Sequence, residues 1–147
     1  MTDTTKNRPG ERKVYRNINI FTDVRTYRLP AAGFVSILHR VSGLLMFLLL
    51  PFIIWMFDNS LSSEISYDVF TNAFVAGIGF LPAWFVKLVV LALSWAYFHH
   101  FIAGVRHLWM DATHSVSKQQ GRSSAVFTLS LSLLLTVLTA AKLFGLY

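Results

Sequence analysis

Cysteine is absent from the 147-residue chain, which rules out disulfides, thiolate-bound metals and cysteine-ligated iron–sulfur clusters within it. Charge is scarce as well: Asp, Glu, Lys and Arg supply 14% of the residues, against about a quarter in a soluble domain. The first 30 residues hold no apolar core, so no secretory signal peptide is expected, and Asp3, Glu11 and Asp23 count against a mitochondrial transit peptide. Internal repeats and low-complexity tracts are missing, and nothing marks a second globular domain.

What fills the chain instead is apolar. Hydrophobic residues make up 54% and the mean hydropathy is +0.53, the profile of a membrane protein. The net charge of +6 and pI near 10.0 do not point to nucleic acid, because the cations gather in the N-terminal arm and beside apolar runs, not along an amphipathic face. Uncharged runs cover Val41–Phe57 (17 residues), Leu88–Val105 (18) and Ser123–Ala141 (19). Each suffices for a helix that crosses hydrocarbon with about 20 apolar residues, because the flanking Arg40, Lys87 and Lys142 can snorkel.

Pro30 suits the first turn of a helix, so the first span is predicted to begin at Ala31. The expected architecture is all-α: a polar arm over residues 1–29, then a transmembrane domain over 30–147 with three helices at about 31–57, 83–109 and 123–146. Between the first two, "DNSLSSEISYDVFTNAFVAGIGFLP" (58–82) is acidic and predicts a short interfacial helix before Pro82. Eight Lys and Arg lie in residues 1–40, none between Asp58 and Val86, and three (Arg106, Lys118, Arg122) between the second and third spans. The positive-inside rule therefore predicts a cytoplasmic N-terminus and an external C-terminus. Three helices bury little of one another, so a helical partner is expected.

The polar residues that enter these spans gather at one end. "SILHRVSG" (36–43) sets Ser36, His39 and Arg40 on one stripe, continued by Gly43 with Ser42 beside it. In "AYFHHFIAGVRHLWMD" (96–111), His100 and His107 are seven apart, and Ala96, Ala103 and Gly104 are expected to share their face, leaving room for a helix backbone or a flat macrocycle. His100 lies six residues outward of Arg106, about 9 Å along the helix. Ionisable groups at such depth are usually kept for function. A neutral imidazole in an apolar slot, with arginine and histidine about two turns away, suits a b-type haem whose propionates meet cations at the interface. The bland alternative for a helical histidine is packing, and His99 and His114 fit it. Taken alone, Ser36 and Arg40 read equally well as a helix-start serine and a snorkelling arginine.

Together, SILHRVSG and "HHFIAGVRHLWMD" (99–111), with "RP" (8–9), "YRLP" (27–30) and three helices of matching length, resemble the cytochrome b membrane-anchor subunit of succinate dehydrogenase, complex II. The resemblance covers almost the whole chain. It implies that His100 is the axial ligand of haem b, and hence binds the iron, while His39, Arg40 and His107 meet the propionates. It further implies that Ser36 and Arg40 line the ubiquinone site. The implied partners are a second, small anchor subunit that supplies the other axial histidine, an iron–sulfur subunit, a flavoprotein subunit and membrane lipid. The implied location is the bacterial inner membrane, crossed several times. On this reading the chain is a non-catalytic subunit: the flavoprotein oxidises succinate, and this chain anchors the complex, shapes the quinone pocket and holds haem.

Depth supports a shared haem. His39 is expected beside the interfacial Arg40, roughly 10 Å shallower than His100, which would keep the two off one iron. A haemless quinone anchor of the fumarate reductase type would lack the transmembrane histidine, and His100 argues against it. A proton-coupled transporter subunit would carry acidic groups inside its spans, and none is present. A self-contained two-haem cytochrome needs histidines paired at two depths, whereas the third span has none.

Overall fold

The computed structural model describes residues 29–114 and 117–146; the N-terminal arm over 1–28, with its RP motif and the first half of YRLP, lies outside the described residues. The described chain forms α1 (Ala31–Leu48), α2 (Leu50–Leu61), α3 (Glu64–Val75), α4 (Ala83–Thr113) and α5 (Lys118–Leu143). Of these, α1, α4 and α5 are the three helices long and apolar enough to cross a membrane, so this is an all-α, multi-pass membrane protein.

The expected helix over 31–57 is in fact two. Leu49 sits at φ −92°, ψ 7°, ending α1, and Pro51 occupies the first turn of α2. A proline there has no N–H to continue the ladder, and its ring crowds the carbonyl four residues back, which breaks the helix just ahead of it. An uncharged run hides this, because proline does not interrupt hydropathy. At the other end of the loop, Ser63 caps α3 through a capping box: its hydroxyl accepts from the Ser66 N–H while Ser66 Oγ accepts from the Ser63 N–H. The short helix expected before Pro82 is therefore present as α3. The chain then turns at Gly77 (φ 99°), where a Cβ would collide with the Leu81 carbonyl oxygen.

The second span runs on past residue 109 to Thr113, and His114 closes it in the left-handed region at φ 50°. The third starts at Lys118, earlier than the expected 123, because the Ser117 hydroxyl caps the Gln120 N–H and so extends the helix through a polar first turn. Where α1, α4 and α5 meet, Val35, Ala103 and Ala125 form the buried core, with Ala31, Ala32 and Leu129 packed around it. Such small side chains let backbones approach closely, which in lipid replaces the hydrophobic drive between helices. The hydroxyls in this contact satisfy themselves locally: Thr128 donates to the Ser124 carbonyl at 2.9 Å and Ser132 to the Leu129 carbonyl at 3.1 Å.

Candidate functional site

Helices α1 and α4 run antiparallel, and their register brings the histidines together. A Cβ on Gly43 would lie 3.0 Å from His100 Cε1, and one on Gly104 would lie 3.7 Å from His39 Nε2. The rings of His39 and His100 stack with centroids 4.1 Å apart and 27° between planes, and His107 tilts against His39 at 5.4 Å. This overturns the expected offset of roughly 10 Å between His39 and His100. That expectation levels Arg40 with Arg106, whereas the pairing of Gly43 with His100 and of His39 with Gly104 levels Arg40 with Ala103. The slide is three residues, about 4.5 Å, and the imidazoles reach across the remainder.

The orientation of His100 follows from its neighbours. Its Nδ1 is 3.0 Å from the His39 carbonyl oxygen and 3.3 Å from Ser42 Oγ. A carbonyl only accepts, so Nδ1 carries the proton and Nε2 keeps the lone pair. Among the described residues no hydrogen bond engages that Nε2. The Nε2 of His39 is buried and likewise makes no hydrogen bond.

The ionisable residues of α4 divide between two sides of the helix. Ala96 and Ala103 are buried, and Ala103 meets both Val35 of α1 and Ala125 of α5 in the core. His100, Gly104 and His107 share the face toward His39 of α1. His99 is fully buried, stacks on Trp95 at 5.6 Å and has Nδ1 3.4 Å from Ser132 Oγ, so it belongs to the α4–α5 contact. Arg106, only 8% exposed, is also turned from His100. Its Nε donates to Ser124 Oγ at 2.9 Å and its Nη2 to the Gly121 carbonyl at 3.2 Å, fastening α4 to the first turns of α5.

On the flank opposite α5 the seam lies open. There Ser36, the exposed Arg40 and Phe47 stand on α1 beside His39, while Tyr97, Phe101 and Leu108 stand exposed on α4 beside His100. The site residues anticipated from sequence thus share one side of the molecule. The contributions that sequence reasoning missed are the His39 carbonyl as a partner of His100 and the Ser42 hydroxyl at its Nδ1. Spacing within one helix does not reveal either, because both depend on the register between two.

Residues 4–139 match the family described as succinate dehydrogenase/fumarate reductase transmembrane subunit. Among relatives, the chain is similar to the succinate dehydrogenase cytochrome b556 subunit of Paracoccus denitrificans, 27% identical over 82% of this chain and 88% of that one. It is 29% identical to the cytochrome b556 subunit of Coxiella burnetii, over 84% of this chain and 92% of the relative. The succinate dehydrogenase cytochrome b560 subunit of Reclinomonas americana is 30% identical over 83% of this chain and 85% of its own length.

Proposed function

The chain belongs to the succinate dehydrogenase/fumarate reductase transmembrane-subunit family, as a cytochrome b-type membrane anchor of complex II, and from that premise we propose that it holds haem b through His100 and helps form a ubiquinone site. One observation carries the reading: the His39 carbonyl at Nδ1 leaves the His100 Nε2 lone pair available for iron, beside the open flank of the bundle. The donor set fits haem. The ligand candidate is a neutral imidazole anchored through its other nitrogen, as metal-bound histidines almost always are. His39 and His107 adjoin it, and with Arg40 they supply the donors that propionates require.

Haem, when bound, supplies a one-electron redox centre. This chain's own part is to fix the imidazole, to exclude water with apolar side chains and to present donors at one end. A residue of a partner anchor subunit would hold the haem from its other side. His39 would not serve in that place, because its ring lies stacked face to face on His100 and not across a gap from it. Phe47, Tyr97, Phe101 and Leu108 give that partner an apolar flank to cover. Ser36 and Arg40, on the same flank, offer a hydroxyl and a guanidinium to a quinone carbonyl. The excess of Lys and Arg in residues 1–40 and 106–122 favours a cytoplasmic N-terminus in a bacterial inner membrane, with the iron–sulfur and flavoprotein subunits docked on that side.

The test substitutes His100→Leu and His99→Leu in the assembled complex and records reduced-minus-oxidised spectra. Loss of the low-spin haem band is expected for the first and its retention for the second. The reverse pattern rejects His100 as ligand.

A further inference from the structure

We propose that Ser42 is a positioning residue for His100: its hydroxyl oxygen and the His39 carbonyl form a two-oxygen cradle around Nδ1–H that sets how strongly the imidazole donates to iron. The proposal rests on the reading of His100 as haem ligand. Ser42 is fully buried, on the α1 face turned toward α4. Its Oγ donates to the His39 carbonyl at 2.9 Å, one turn back on its own helix. With its proton committed there, the oxygen's lone pairs remain for the Nδ1–H of His100, 3.3 Å away. An ordinary helical serine back-bonds to its own helix and stops. This one also meets a side chain 58 positions along the sequence, on another helix.

The geometry has an electronic consequence. Each acceptor at Nδ1–H pulls the imidazole toward imidazolate character, which makes Nε2 a stronger donor and favours the more highly charged, oxidised iron. The carbonyl at 3.0 Å is the principal acceptor and the hydroxyl the second. Deleting the hydroxyl therefore weakens Nε2 as a donor and raises the haem midpoint potential. Competition for the carbonyl pulls the other way, because the Ser42 proton occupies one of its lone pairs, so the direction of the shift tests whether the oxygen at Nδ1 dominates.

The experiment uses the assembled complex with Ser42→Ala, Ser42→Thr and, in parallel, His100→Leu. It measures the haem midpoint potential by redox titration and the ferric low-spin electron paramagnetic resonance spectrum. Ser42→Ala is expected to retain haem, raise the potential and shift the resonance, and Ser42→Thr, which keeps the hydroxyl, to stay with the wild type. An unchanged or lowered potential in Ser42→Ala overturns the proposal. If Ser42→Ala loses haem, restoration by Ser42→Thr supports it, and loss in both overturns it in favour of packing alone. A low-spin haem that survives His100→Leu removes the ligand reading itself, and the cradle with it. Its loss in His100→Leu beside a silent Ser42→Ala removes only the cradle.

Discussion

Replacing Gly43 with alanine probes the α1–α4 seam by a single methyl group. The new Cβ would stand 3.0 Å from His100 Cε1 and 3.3 Å from its Nδ1, inside the separation of about 3.5–4.0 Å at which carbon contacts are most favourable. Relief requires the ring to retreat by roughly half an ångström or more. The same retreat stretches the Nδ1 to carbonyl bond from 3.0 Å toward the limit of a hydrogen bond. Overpacking of this kind costs about 1–3 kcal/mol, against which alanine regains up to about 1 kcal/mol of helix propensity. The balance is a loss of about 0–3 kcal/mol, concentrated at the imidazole. Gly104→Ala is the control, because its Cβ would meet His39 Nε2 at 3.7 Å, an ordinary contact, and should be neutral or slightly stabilising. Thermal denaturation of the detergent-solubilised complex, followed through the haem absorbance, reads both variants. Gly43→Ala with an unchanged spectrum and raised stability, or disruption by Gly104→Ala alone, would refute the register deduced for the two helices.

Three further outcomes are expected. Ser36→Ala and Arg40→Leu should impair quinone reduction while succinate oxidation with a soluble artificial acceptor continues, since both side chains lie on the open flank and take no part in flavin chemistry; equal loss of both activities in fully assembled enzyme counts against the quinone assignment. Arg106→Met should destabilise the complex by about 1.5–3 kcal/mol, the worth of hydrogen bonds made by a charged group, because it unfastens Ser124 and the Gly121 carbonyl. It should do so without moving the haem band, and a spectral shift at unchanged stability would contradict the separation of the two faces of α4. Expressed and inserted alone, the chain should yield no stoichiometric six-coordinate low-spin haem, and a bis-imidazole spectrum from the isolated subunit would promote His39 to ligand.

The three spans and the short helix before Pro82 are legible in the sequence because hydrocarbon imposes length and hydropathy on each segment separately. The break at Leu49 is not, since Pro51 counts as apolar while altering the backbone. The grouping of His100 with His107 follows correctly from a separation of seven on one helix. What that spacing leaves out is that Ala103 also meets Ala125 of α5, because nothing within α4 reveals the packing of a third helix. Axial register is the least legible quantity. No residue in α1 carries information about its level against α4, and a slide of three residues turns a distant pair of histidines into a stacked one.

Since the principal partner of His100 is the backbone oxygen at position 39, the bond does not depend on which side chain that position bears. Any residue other than one that distorts α1 presents the same oxygen at the same place. Point mutation therefore cannot delete this acceptor, and a substitution that removes the ring stacked on His100 leaves the backbone contact in place. The two contacts that one residue makes with His100, ring and carbonyl, are separable in the laboratory for the same reason: a series of substitutions at His39 varies the side chain while the backbone contact stays constant.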